Sequence, residues 1–96
     1  MHRFVVSDAS VLAFAPHIVF RFDEVRQRWV ILAPERLMLP DEQAVEILKL
    51  IDGKASTGAI VDGLAARYTQ APRDLIAKDV LAMLQDLADK GVLADG

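Results

Sequence analysis

Residues 29–53 read WVILAPERLMLPDEQAVEILKLIDG, and the period of their apolar residues changes at Pro40. Before it, Trp29-Val30-Ile31-Leu32 is an aromatic and β-branched run of the kind that fits a pleated strand. Ala33-Pro34-Glu35 interrupts that run. Arg36-Leu37-Met38-Leu39 is then a second, brief extended piece, which Pro40 ends by withholding a ladder donor. After it, Ala44, Val45, Ile47, Leu48 and Ile51 recur at helical spacing. Asp41 suits the N-cap of that helix and Gly53 a left-handed stop beyond it. Strand followed by helix within one stretch predicts an α+β domain.

Upstream, His17 to Asp23 alternates: Ile18, Phe20 and Phe22 share one face and His17, Val19 and Arg21 the other, as in a half-buried strand. The polar residues Asp23 to Arg28 are few enough for a hairpin loop, so residues 17–23 and 29–32 should pair antiparallel, with 36–39 as a third strand. Met1 to Ala15 shows neither period and reads as a loosely held arm before a single domain over 16–96. Downstream, helices are expected near 41–52, 57–68 and 72–90. Thr57 caps the second, Pro72 opens the third, and Lys90-Gly91 closes it. Three short strands leading into three helices describe a winged helix-turn-helix-like arrangement.

With 96 residues, one modest core is the ceiling. The chain has no cysteine, which fits a reducing cytoplasm and removes thiolate metal sites. Its apolar runs fall well short of the roughly 20 residues needed to span a bilayer, and Met1 to Ser10 lacks the pattern of a secretory signal. Met1 to Arg36 carries five Arg against four acids, whereas Leu37 to Gly96 carries six bases against ten acids. Nucleic acid is a poor partner for so acidic a helical half, because phosphate binding draws its affinity from clustered cations.

Catalysis finds little to stand on. His2 and His17 are the two histidines and neither has a ligand-spaced neighbour, so a water-facing strand position explains His17 better than a metal does. Asp74, Asp79, Asp86 and Asp89 are spread along a helix rather than gathered in a loop, which suits solvent and not a hard cation. No catalytic residue, cofactor or metal is assigned.

The third helix carries the candidate binding residues. Advancing 100° per residue gathers Ile76, Val80, Met83, Leu84 and Leu87 in one arc. Ala77, Leu81 and Ala88 widen the stripe on a flank bordered by Lys78 and Gln85, beyond what a core contact needs. Either the bundle has a wider internal contact there, or an apolar groove is kept for a partner. The piece Arg36-Leu37-Met38-Leu39 offers a sheet edge to which a peptide could add as a further strand.

Several segments together, Arg21-Phe22-Asp23, Val30-Ile31-Leu32-Ala33-Pro34-Glu35-Arg36, Ile51-Asp52-Gly53, Asp79-Val80 through Met83-Leu84, Leu87, and Gly91-Val92-Leu93, are similar to the PqqD family, the peptide chaperone of pyrroloquinoline quinone biosynthesis. The resemblance runs from about His17 to Leu93 and leaves the N-terminal arm unassigned. It implies a non-catalytic recognition domain that captures the ribosomal precursor peptide of the cofactor and presents it to a radical SAM enzyme. It also implies that peptide lies beside Arg36, Leu37, Met38 and Leu39 and against Lys78, Leu81, Gln85 and Ala88. A winged-helix DNA-binding module and a homodimeric assembly protein are the alternatives, the latter because exposed edges and the arm could pair between chains. A monomer or a weak, strand-swapped homodimer is expected.

Overall fold

The computed structural model describes residues 4–95; Met1 to Arg3, part of the expected arm, and Gly96 lie outside them. Eight elements follow in order: β1 (Leu12–Phe14), β2 (Val19–Asp23), β3 (Arg28–Ala33), β4 (Arg36–Met38), α1 (Glu42–Leu48), α2 (Thr57–Arg67), α3 (Arg73–Asp89) and β5 (Leu93–Asp95). β2, β3 and β4 form an antiparallel sheet in that order, while β1 and β5 make a separate two-stranded ribbon. The α+β expectation holds: three helices with antiparallel strands.

The N-terminal segment departs from the sequence reading. Residues 4–15 are not a loose arm, because Leu12 is 1% exposed and Val6 is buried. The Leu12–Phe14 strand pairs with Leu93–Asp95, Leu12 opposite Asp95 and Phe14 opposite Leu93. Burying a leucine stabilises by about 1.5–3 kcal/mol relative to leaving it in water, which is reason enough for the segment to dock. Its backbone also reaches α2. The Ser10 carbonyl accepts from the Thr57 amide at 2.8 Å and from the Thr57 hydroxyl at 3.0 Å. The Asp8 carbonyl accepts from the Gly58 amide at 2.9 Å. At Gly58 an added Cβ would sit 3.2 Å from that carbonyl, so glycine permits the close approach.

Two helix boundaries shift for local reasons. Ser56, not Thr57, is the N-cap of α2, its hydroxyl accepting from the Ala59 amide; Thr57 is buried and spends its own hydroxyl on Ser10. α1 stops at Leu48, because Leu50 and Ile51 bond back only three residues, to Ile47 and Leu48, in the tighter helical pattern. Gly53 does take a positive φ of 78°, several residues past the helix end. Gly91, at φ 80°, ends α3 as expected and returns the chain into β5.

One core joins these parts. Leu48, Val61, Leu84, Leu12, Ile31 and Val92 are essentially inaccessible and contribute from five elements and the α3–β5 turn. Rings extend the core along the sheet: Phe14 stacks on Phe20 at 5.4 Å, and Phe20 on Trp29 at 4.8 Å. β2 and β3 are closed by a turn that Asp23 organises. Its carboxylate accepts from the Val25 and Arg26 amides and from the Arg26 guanidinium at 2.8 Å. These bonds, the Arg26 side chain first, hold the Asp23 carboxyl below the usual range.

Candidate functional site

β4 lies at the edge of its sheet and pairs with β3 alone, Ile31 opposite Met38, Leu32 opposite Leu37 and Ala33 opposite Arg36. Pro34 and Glu35 are the whole connection, with Glu35 in a left-handed conformation at φ 66°. In such a two-residue hairpin the closing pair is hydrogen-bonded and the pattern alternates, so the N–H and C=O of Leu37 are turned away from β3. The strand is brief and its side chains are open: Leu37 is 41% and Leu39 49% exposed. Met38 points the other way and packs against the core.

Beside this edge is a cleft of about 240 Å³, lined by Ile31, Met38 and Leu39 from the sheet side and by Met83, Leu87 and Lys90 from α3. Asp86 adds a carboxylate, tied to the Lys90 ammonium at 2.9 Å. An exposed pair of that kind contributes little to stability. It leaves an apolar floor with charged groups at the rim. One contact ties the walls: Arg36 Nη2 donates to the Lys90 carbonyl at 3.3 Å. On the other face of the sheet, Arg28 Nη2 donates to the Pro40 carbonyl at 3.1 Å, just past β4. Asp41 caps α1 at the same end by accepting from the Ala44 amide. The chemistry offered is an unpaired strand edge over a greasy slot, which suits an extended peptide.

The residues expected to form one groove separate into two sets. Arg36, Leu37, Met38 and Leu39 sit at the edge as anticipated. Lys78, Leu81, Gln85 and Ala88 do not meet them, because they occupy the other flank of α3: Met83 and Gln85 stand about 200° apart around the helix. That flank is already taken by the N-terminal segment. The Gln85 side chain accepts from the Val6 amide and donates to the Phe4 carbonyl, each at 2.8 Å. Leu81 and Ala88 pack against the core. The widened apolar stripe is therefore an internal contact. Met83, Asp86, Leu87 and Lys90 are the helical residues beside β4, and their signal was present in the same helical wheel, where Met83 lay at the margin of the core arc.

A second, wider cleft of about 1130 Å³ opens beyond Trp29, where the Lys49 ammonium sits 5.0 Å from the indole centroid, and continues past Tyr68 to Ile76. Among the described residues no group of three His, Asp or Glu side chains stands close enough to hold a metal ion.

Residues 28–93 match the family model described as coenzyme PQQ synthesis protein D (PqqD). The PqqA binding protein of Rhodopseudomonas palustris (strain BisB5) is 61% identical over 90 residues, covering 94% of this chain and 87% of the relative. The bifunctional coenzyme PQQ synthesis protein C/D of Methylorubrum extorquens is 47% identical over 73 residues, which are 76% of this chain and 19% of that protein. Among solved structures, the solution structure of the PqqD truncation of Methylobacterium extorquens PqqCD, described as a functional and stand-alone RiPP recognition element, superposes with a TM-score of 0.79. It is 39% identical, and the match covers 98% of this chain and 99% of that one. The crystal structure of PqqD from Xanthomonas campestris follows at a TM-score of 0.54 and 31% identity, over 90% of this chain and 94% of that one.

Proposed function

The chain belongs to the PqqD family of coenzyme PQQ synthesis proteins, and we propose that it is the non-catalytic carrier that binds the ribosomal PqqA precursor peptide and presents it to a radical SAM enzyme. The observation that carries this reading is the pairing of an open β4 edge with the apolar slot at Met83 and Leu87. The peptide adds to β4 as a further strand, hydrogen-bonding through Leu37, while an apolar side chain enters the slot between Met38 and Met83. Arg36 and Lys90 at the rim attract peptide acids. Of the helical residues expected at the outset, Gln85 acts from the far flank by holding the N-terminal segment, Leu81 and Ala88 pack against the core, and Lys78 stands on that same flank, away from the peptide slot.

The arrangement suits a winged-helix type of domain, in which α2 and α3 are the helical pair and the β3–β4 hairpin is the wing. A DNA-binding use of that architecture loses support from charge, since α3 carries Arg73 and Lys78 against Asp74, Asp79, Asp86 and Asp89. Arg73 is moreover paired with Asp62 at 2.7 Å. A cysteine-free chain, with no helix among the described residues long and apolar enough to cross a membrane, suits work in the cytoplasm.

Titration of the isotope-labelled chain with synthetic PqqA-type peptide tests the reading. Amide shifts should concentrate at residues 36–39 and 83–90. Saturable binding whose shifts fall on α2 and the Gln85 flank instead would remove the β4 site.

A further inference from the structure

The three-stranded sheet has two faces, and the chain's own core covers one of them. Phe20, Ile31 and Met38 share the inward side and join the core. On the outward side, strand pairing aligns Val19, Leu32 and Leu37 in one row across all three strands. None of the three belongs to the core cluster, and Val19 is 46% exposed. β3 reads Trp-Val-Ile-Leu-Ala over 29–33. That is an unbroken apolar run, unlike the apolar-polar alternation of an antiparallel strand with one face in water. Val30, on the outward side, is already buried by the chain itself, so the open apolar part of this face is the Val19–Leu32–Leu37 row.

The same face is positively charged. Arg21 stands opposite Val30, and Arg28 opposite Asp23. Asp23 is already engaged by Arg26 at 2.8 Å, so it does not neutralise the neighbouring arginines as well.

We propose that this outward face docks the protein that receives the captured peptide, and that the receiving surface is apolar at its centre and acidic at its rim. A second copy laid sheet on sheet would bring Arg21 and Arg28 against their own kind, which is unfavourable. An anionic membrane would have to accept a chain of net charge -3. An acidic protein surface satisfies the arginines and covers the Val19–Leu32–Leu37 row together. The peptide added at the β4 edge sends its apolar side chain toward Met38 and the α3 cleft, and the receiving protein covers the outward face beside it, so the two are held next to each other on one thin sheet. The inference rests on the proposed handover.

Val19→Glu and Arg21→Glu test it, since both lie on β2, away from the peptide edge. The measurement is the affinity of the chain and of each variant for the radical SAM modifying enzyme of the same biosynthetic set, at two salt concentrations, alongside affinity for PqqA-type peptide. Each variant should weaken enzyme binding by roughly tenfold or more, keep peptide affinity within about twofold, and retain a native amide spectrum. Wild-type binding should weaken with added salt. Unchanged enzyme affinity in both variants overturns the docking face and leaves peptide capture and handover standing. If the wild-type chain does not bind the enzyme at all, the handover falls and the inference with it. Loss of self-association in sedimentation, or of binding to phosphatidylserine vesicles, with enzyme binding intact, assigns the face to a second copy or to a membrane and overturns the proposal equally.

Discussion

Arg36 reaches from the first residue of β4 to the end of α3, its guanidinium donating to the Lys90 carbonyl at 3.3 Å. The bond joins residues 54 positions apart and ties strand to helix beside the cleft. Replacing the side chain, Arg36→Ala, should weaken PqqA-type peptide by roughly three- to tenfold, in line with the loss of one charged hydrogen bond and one rim cation. The melting temperature should fall by only a few degrees, because the contact is exposed. Calorimetric titration and a thermal melt check the two halves of that statement; full peptide affinity in the variant would detach this junction from binding.

The two flanks of α3 should respond differently. Met83→Asp places a charge in the slot beside β4 and should weaken peptide by roughly tenfold or more. Gln85→Ala should leave peptide affinity unchanged yet lower stability by about 1–3 kcal/mol, because the part-buried Val6 amide loses its acceptor. Denaturant unfolding and peptide titration of both variants decide between flanks: the opposite pattern returns the peptide to Lys78, Leu81, Gln85 and Ala88.

The N-terminal segment is structural, and Leu12 is its anchor at 1% exposure. Leu12→Ala should destabilise by about 2–5 kcal/mol, the usual cost of a buried leucine cavity. Urea unfolding measures it. A loss below about 0.5 kcal/mol would mean that the segment is not docked in solution.

Acidification should loosen the β2–β3 turn. The Asp23 carboxyl is held below its ordinary value of 3.8, chiefly by the Arg26 guanidinium and the Arg26 amide. A group whose folded pKa is depressed contributes stability above its unfolded value, and that contribution disappears as pH falls through the lower, folded one. The stability difference between the wild-type chain and Asp23→Asn should therefore be constant above about pH 5 and shrink below about pH 4. A difference independent of pH down to the acid unfolding limit would contradict the ionic role.

Glu35 and Gln27 hold positive φ angles of 66° and 55°, which cost a side-chain-bearing residue about 1 kcal/mol or more. Glu35→Gly and Gln27→Gly should each raise stability by up to about 1 kcal/mol, less the entropy that glycine adds to the unfolded chain. Chemical denaturation reads the change, and a loss in either variant would show that its side chain holds the turn by a contact outweighing the strain.

Much of this architecture was legible before any coordinates. Alternation in Ile18, Phe20 and Phe22, the break at Pro34, the stop at Pro40 and the helical spacing from Ala44 onward are properties of neighbouring residues, and local geometry follows from them. Small errors at the ends had equally local causes: Ser56 and Thr57 are both good caps, and only the reach of Thr57 toward Ser10 separated their roles. The β4 half of the candidate site was readable for the same reason, since a short strand bounded by Pro34 and Pro40 belongs at an edge.

What no period could disclose was the company each face keeps. The partner of Leu12 is Asp95, at the far end of the chain, and Phe4 and Val6 find Gln85 across a similar interval. A helical wheel ranks positions by hydrophobicity, but both flanks of α3 are apolar near the core, so the wheel cannot say which borders the strand and which the N-terminal segment. Long-range docking assigned them. Folding the chain back through β1 and β5 covers one flank of α3, and the slot beside β4 is left to the other.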